Sequence, residues 1–234
     1  MIVTHEANTR WKGQPVGVLT DRAFFSLGRA AQRRLLEPFT WVEYRAPLGA
    51  APPALSLQRS GFFWIDVQIN FRIALQRVPD SPSLSRYECT SASQVPFTVA
   101  DGAVKPFSQE RYLELPGVSP TTLNDRYVTW ANQLIARSPA WCLRLTRDGE
   151  TEGWFLSDAS ETSVNLTLAM LATGATASGQ HLYQRALREY AIRGGVIGHA
   201  SFSIRNTPVV NIYSSLGAQF TPPTGIWMWV ADRA

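Results

Sequence analysis

The chain of 234 residues is 45% hydrophobic and 17% charged, which excludes a disordered protein and leaves room for one large or two modest domains. No apolar run approaches the roughly 18 residues that a membrane-crossing helix needs, and MIVTHEANTRWKG has no signal-peptide core, so no membrane partner is expected and the cytoplasm is the expected address. The net charge of +4 comes from arginines scattered along the chain, with Lys12 and Lys105 the only lysines, so the clustered basic face that tracks nucleic acid is missing and no nucleic-acid partner is expected.

In chain order, VGVLT at residue 16 is a short apolar run. FFSLGRAAQRRLLEP follows as a helix stopped by Pro38, and WVEYRA alternates like a strand. A second helix starts at Pro52–Pro53, where proline suits the first turn, and ends on Gly61. FFWIDVQINFRIAL is β-branched, aromatic and long enough for a central strand. These pieces make a small α/β unit. Residues 78–94, rich in Ser and Pro, read as a linker or surface loop.

PFTVADG then offers a short strand, and DRYVTWANQLIARS a helix with Tyr127, Trp130, Leu134 and Ile135 on its apolar side. WCLRLTRDGETEGWFLS reads as two strands joined at Asp148-Gly149, a strong hairpin signal. SVNLTLAML alternates, with Val164, Leu166, Leu168 and Met170 on one face. The loop ATGATASG opens an amphipathic helix carrying Leu182, Ala186, Leu187, Tyr190 and Ala191 on one side. A strand (VIGHASFSI), a short helix (NTPVVNIYSSLG) and an aromatic strand (IWMWV) close the chain. The edge expected for IWMWV is a possible contact surface between copies.

A Gly-, Ala-, Ser- and Thr-rich turn at the start of a helix leaves backbone N–H groups uncovered at the positive end of the helix dipole. Such a turn either binds phosphate or simply permits close packing. Cys89 and Cys142 belong to no CxxC, and His5, His181 and His199 share no ligand spacing, so neither a disulfide framework nor a metal site is expected. His199 alternates with Ile197 and Ser201, which favours a hydrogen-bonded structural histidine over a catalytic one. Glu152, Asp158 and Glu161 lie in or beside strands flanking the loop. Each reads as a solvated surface carboxylate before it reads as a general base.

Asn206, Tyr213 and Gly217, in RNTPVVNIYSSLGAQF, stand at the spacing N-x6-Y-x3-G directly after a strand. This resembles the closing motif of the GCN5-related N-acetyltransferases. LTDRAFFSLGR and SGFFWIDVQINF further resemble landmarks of the bacterial dTDP-fucosamine acetyltransferase group within that superfamily. The resemblance implies an α/β acyl-coenzyme A N-acyltransferase fold with a central twisted mixed sheet over about residues 91–234, preceded by a smaller α/β domain over 1–90. Strands 164–171 and 196–204 would run parallel and diverge at their C-terminal ends, connected through the helix 179–193.

The resemblance also implies acetyl-coenzyme A as co-substrate and direct transfer of its acyl group to the amine of a small molecule, such as a dTDP-linked amino sugar, and it makes a homodimer plausible. The donor would lie on Met170, Leu171, Ala172, Thr173, Gly174, Ala175, Thr176, Ala177, Ser178, Gly179, Asn206 and Tyr213. Main-chain N–H groups near Met170 and Leu171 would hold the oxyanion, and Tyr213 would protonate the leaving thiolate. Trp64, Asp66 and Trp130 would line an acceptor pocket between the N-terminal unit and the acetyltransferase domain. One departure stands out: the loop is GATASG, without the Arg or Gln and the run of glycines usual at the superfamily's pyrophosphate site. That departure favours the alternative reading, a catalytically degenerate binding or regulatory module of the same fold.

Overall fold

The computed structural model describes residues 1–231. In chain order its elements are β1 (Ile2–Thr4), α1 (Glu6–Lys12), β2 (Val16–Leu19), α2 (Arg29–Leu36), β3 (Trp41–Pro47), α3 (Ala54–Arg59), β4 (Phe63–Ala74), β5 (Glu88–Ser91), α4 (Pro120–Arg137), β6 (Cys142–Arg147), β7 (Glu150–Ser160), β8 (Ser163–Leu171), α5 (Gly179–Ile192), β9 (Ile197–Ser203), α6 (Thr207–Ser215) and β10 (Gln219–Val230), with short 3-10 turns among them. The chain divides into Met1–Ile69 together with the residues from Pro222 onward, and Asn70–Thr221. The division runs through β4 and not through the Ser- and Pro-rich segment near residue 90, and the last strand returns to the first unit.

In the first unit β1 pairs antiparallel with β2, β2 parallel with β3, and β3 antiparallel with β10, in the order β1-β2-β3-β10-β4. Leu19, Phe24, Leu36, Val42, Tyr44, Leu57, Phe62, Trp227 and Trp229 form its core. Gly61, at φ +77, turns the chain out of α3 as its sequence position implied. IWMWV is not an edge: β10 lies between β3 and β4, where the aromatic side chains of Trp227 and Trp229 are buried. The contact surface expected from that edge is therefore not available.

In the second unit the strand order is β4-β9-β8-β7-β6-β5. β5 through β8 form an antiparallel meander, and β8 pairs parallel with β9. Asp148 (φ +53) and Gly149 (φ +83) both adopt the left-handed conformation that a two-residue hairpin between right-twisted strands requires. α4 starts earlier than the helical pattern suggested, at a capping box in which Ser119 and Thr122 bond each other's backbone N–H.

Two expectations are corrected here. PFTVADG forms no strand; the side-chain amide of Asn132 on α4 bonds both the N–H and the C=O of Val99 at 2.9 Å and takes the place of a ladder. The Ser- and Pro-rich segment is in turn not all loop. It contains β5, a short edge strand whose inward residue Ser91 is buried beside Ala92.

α5 packs Leu182, Ala186, Leu187 and Tyr190 into a core with Ile73, Leu75, Leu143, Leu145, Phe155, Val164, Leu166 and Tyr213. Tyr190 is wholly buried, and its hydroxyl lies within hydrogen-bond reach of the carbonyls of Trp141 (2.9 Å) and Phe155 (2.8 Å), tying the helix to β7.

The decisive feature is the pairing of β8. Its parallel register with β9 covers only Ser163↔Ile197, Val164↔Gly198 and Asn165↔His199. Immediately beyond, the register with β7 slips between Leu156 and Asp158, so that β8 carries an extra residue and bends. The bend carries β8 away from β9, and the two strands diverge. Gly198 permits the close approach before the divergence, since a Cβ there would stand 2.8 Å from Leu166 and 3.0 Å from Ile73.

Candidate donor site at the end of β8

Past the bulge, Met170 lies opposite Trp154 and the N–H of Ala172 donates to the carbonyl of Glu152 at 3.0 Å. Backbone groups alternate along an antiparallel pair, so Met170 turns its N–H and C=O to β7, whereas Ala169 and Leu171 turn theirs to the side that β9 has left. Of the two residues expected to offer oxyanion donors, Leu171 therefore faces the gap and Met170 does not.

A strap from the preceding loop closes part of that side. The N–H of Lys105 donates to the carbonyl of Leu171 (3.0 Å), the N–H of Thr173 donates to the carbonyl of Ala103 (2.8 Å), and the hydroxyl of Thr173 donates to the carbonyl of Gly102 (2.7 Å). Val104 pairs antiparallel with Ala172 between them. The ammonium of Lys105 reaches the carbonyl of Ala175 at 3.1 Å.

The loop itself is organised by a residue that the sequence placed on the surface. Glu152, at the start of β7, is 4% exposed, and its carboxylate lies under the loop. Oε2 accepts the N–H groups of Thr176 and Ala177, both at 2.7 Å; Oε1 accepts the hydroxyl of Thr176 at 2.8 Å and lies 3.2 Å from the guanidinium of Arg147. Arg147 also donates to the Thr176 hydroxyl. Burial opposes ionisation of Glu152, but the loop hydrogen bonds and Arg147 outweigh it and hold the carboxyl below its ordinary range. Its expected role as a solvated surface carboxylate is thus corrected.

Asp158 keeps that role, in an ion pair with Arg137 at 2.8 Å, and Glu161 is an exposed residue of the β7–β8 turn at φ +54. His199 is exposed and, among the described residues, makes no hydrogen bond, so the structural bond expected of it is absent.

Because of these contacts the loop amides are not all available to a ligand. Ala175 donates to Ala172, Thr173 to the strap, and Thr176 and Ala177 to Glu152. Among the described residues, the N–H groups of Gly174, Ser178, Gly179 and Gln180 donate to nothing else in the chain. The last three are consecutive at the start of α5, a helix of 14 residues whose cap is the Ser178 hydroxyl accepting from His181 N–H. Three successive free amides at a helix N-terminus form a concave donor set for an anion.

At the other end of the opening, Asn206 caps α6 through its side-chain oxygen, which accepts from Val209 N–H at 3.4 Å. Gly217 follows α6 at φ +83. Tyr213 is 2% exposed, with its ring 4.0 Å from Phe71, 5.2 Å from Tyr183 and stacked on Phe202 at 5.8 Å. Burial, reinforced by Tyr183 and Tyr190, raises its hydroxyl well above the ordinary tyrosine value. Among the described residues that hydroxyl makes no hydrogen bond.

The acceptor residues divide between the units. Trp64 and Asp66 lie on β4 in the first. Trp64 is 62% exposed and its indole N–H donates to the main-chain oxygen of Asp66 at 2.8 Å, whereas Asp66 is buried and its carboxylate accepts from Val67 N–H. Trp130 lies on α4 in the second, half-buried beside Tyr127, with Arg126 over both rings. The same helix holds a network that the sequence reading missed: Tyr127 donates to the carboxylate of Glu110, next to Arg111, and stacks on Phe107 at 3.9 Å. The loop contacts of Arg147 and Lys105 were missed, and Glu152 was read as a surface carboxylate, because each reaches the loop from a distant part of the chain.

A parallel strand pair that opens beyond a bulge, followed by a free-amide turn and a helix, defines the acyl-coenzyme A N-acyltransferase type of α/β fold. No protein-family model matches the sequence, and no curated protein matches it. Solved structures do. A GCN5-related N-acetyltransferase from Sphaerobacter thermophilus superposes with a TM-score of 0.59 at 14% identity, covering 98% of this chain and 75% of that one. A tandem protein of the same superfamily from the clavulanic acid biosynthesis pathway gives 0.52 at 15% identity, covering 94% of this chain and 76% of that one. A GCN5-related glucosamine N-acetyltransferase region of a fungal multi-domain β-N-acetylglucosaminidase gives 0.58 at 10% identity, covering 98% of this chain and 31% of that one. The chain thus has the fold of the GCN5-related N-acetyltransferases.

Proposed function

We propose that the protein is an acyl-coenzyme A dependent N-acyltransferase that moves an acetyl or similar acyl group directly to a small amine. The observation that carries this reading is the opening of β8 from β9 beside the free amides of Ser178, Gly179 and Gln180. A donor with an amide-bearing arm and a diphosphate matches both features. The arm would add to the open side of β8 at Ala169 and Leu171, and the diphosphate would take the helix N-terminus. Leu171 N–H is the oxyanion donor in this reading.

Tyr213 is the proton donor to the leaving thiolate, with Asn206 shaping the start of α6 beside it. A deprotonated amine held near the thioester carbonyl needs no protein nucleophile. The acceptor we propose is an amino sugar, carried on a nucleotide or free, in keeping with the glucosamine named for the fungal neighbour. Within the second unit the ring of Trp130 offers a face on which a sugar or base stacks, and in the first unit the exposed ring of Trp64 offers a face of its own. Asp66 supports the backbone of that strand. A cytoplasmic location agrees with such a substrate, and among the described residues no helix is long and apolar enough to cross a membrane.

A second reading is a binding module that has given up catalysis. It is favoured by the strap on Leu171 and Thr173, by Glu152 beneath the loop, and by the burial of Tyr213. Calorimetric titration of acetyl-coenzyme A into the purified protein, followed by an assay for free thiol with a panel of amino sugars, separates the readings. Binding with thiol release supports the transferase, binding without release supports the module, and absence of binding refutes the donor site.

A further inference from the structure

We infer that Glu152 is a positioning residue of the donor site. Its carboxylate takes the amides of Thr176 and Ala177 and holds Arg147 against the same loop, so that a donor diphosphate meets the amides of Ser178–Gln180 and the outward side of Arg147. The inference rests on the acyl-coenzyme A reading and names the groups that make that reading possible in a loop lacking its usual arginine.

The loop cannot fix its own shape. From Ala172 to Gly179 it contains only Ala, Thr, Gly and Ser, side chains too small to anchor it by packing, and Gly174 and Gly179 add backbone freedom. The strap holds its first part through Thr173 and Ala175, and its second part is held by a buried carboxylate with four donors around it, three from Thr176 and Ala177 and one from Arg147. Charge-assisted bonds of this length are the strong ones, and two of them converge on a single oxygen. The loop is thereby fixed immediately before the residues whose amides remain free.

Glu152 also solves an electrostatic problem. Arg147 arrives from β6, a quarter exposed, and bonds both the carboxylate and the Thr176 hydroxyl. A lone carboxylate beside a diphosphate would repel it, but the Arg147 guanidinium, which Asp148 also approaches at 3.8 Å, offsets the Glu152 charge and keeps N–H groups open to an anion at the loop. Lys105, on the carbonyl of Ala175, is a second exposed cation beside it. The missing loop arginine is thus replaced by cations supplied from the hairpin and the strap.

Glu152→Gln tests the assignment, because the amide keeps the size of the side chain but turns an NH2 group toward groups that donate. The probes are acetyl-coenzyme A, by calorimetry, and S-acetylpantetheine, which has the arm and thioester but no diphosphate, by ligand-observed NMR. The variant should bind acetyl-coenzyme A about tenfold more weakly and S-acetylpantetheine as the wild type does, since only the former uses the loop. Thr176→Val removes one of the four bonds and should give a smaller loss of the same kind; it carries the test alone if Glu152→Gln does not fold. Unchanged or tightened coenzyme binding, or equal losses for both probes, would overturn the assignment while leaving the donor site standing. A wild-type protein that binds neither probe overturns the acyltransferase reading and this inference with it.

Discussion

Tyr213→Phe tests the chemistry with little disturbance to the fold. The substitution keeps the ring and therefore its contacts with Phe71, Tyr183 and Phe202. It removes a hydroxyl that bonds no described residue. No hydrogen bond is lost with it, so the melting temperature should stay within about 2–4 °C of the wild type, the shift that about 1 kcal/mol produces in a chain of this size.

The effect on rate follows from the same burial. General acid catalysis is typically worth about 100- to 10,000-fold. The Tyr213 hydroxyl is held well above its ordinary value by burial, whereas a thiol ionises near pH 8.5, so the proton moves uphill and the acid is a weak one. The loss should lie at the low end, about 100-fold in kcat, with the KM for the donor unchanged, because the interaction is made only as the thiolate leaves. The assay is steady-state thiol release with the best acceptor, run beside thermal melting. A variant within threefold of wild-type turnover at unchanged melting temperature would make Tyr213 a packing residue of the aromatic cluster and refute the argument.

The remaining predictions concern the loop and the thiols. Gly179→Pro deletes a single free amide at the first helical position, where proline is favoured and Ser178, at ψ 148°, already has the conformation that must precede it; coenzyme affinity should fall about 10- to 100-fold with the melting temperature preserved, and unchanged calorimetry would remove that amide from the site. Leucine at the same position is a poorer probe, because it keeps the N–H and extends past a Cβ that, for proline as for leucine, would stand 3.3 Å from Ile212. The lowered Glu152 carboxyl gives stability that is full above its unfolded value of about 4.3 and is lost as pH falls through the lower folded value. In urea unfolding the wild type should therefore exceed Glu152→Gln at pH 7, with the gap closing below about pH 4; a gap constant to pH 3 would show that the charge contributes nothing. Burial pushes Cys89 up to about 12 and Cys142 up to about 11, so both thiols stay neutral at pH 8, and rapid alkylation of the folded protein by iodoacetamide at that pH would contradict the packing around them.

The sequence by itself determined what depends on neighbours a few residues apart. Alternation fixed β8, the 3.6-residue period fixed the buried face of α5, and Asp148-Gly149 fixed the hairpin, because side-chain direction and turn conformation are set within one or two residues of backbone. NTPVVNIYSSLG likewise read as a short helix, and α6 spans Thr207–Ser215; its Asn206 cap and the left-handed Gly217 after it were seen only in the structure. Only the tertiary structure decided which strands meet and which amides remain free. PFTVADG has strand propensity but no partner, since Asn132 on α4 takes the backbone groups of Val99. The terminal IWMWV is internal because β3 and β4 flank it, a pairing that links residues nearly two hundred positions apart. Glu152 looked like any carboxylate near the start of a strand, and its burial under the loop depends on contacts 24 and 25 residues away that no local pattern encodes. The bend that opens β8 arises from one extra residue in its register with β7, and a strand reads the same in sequence whether that residue is paired or bulged.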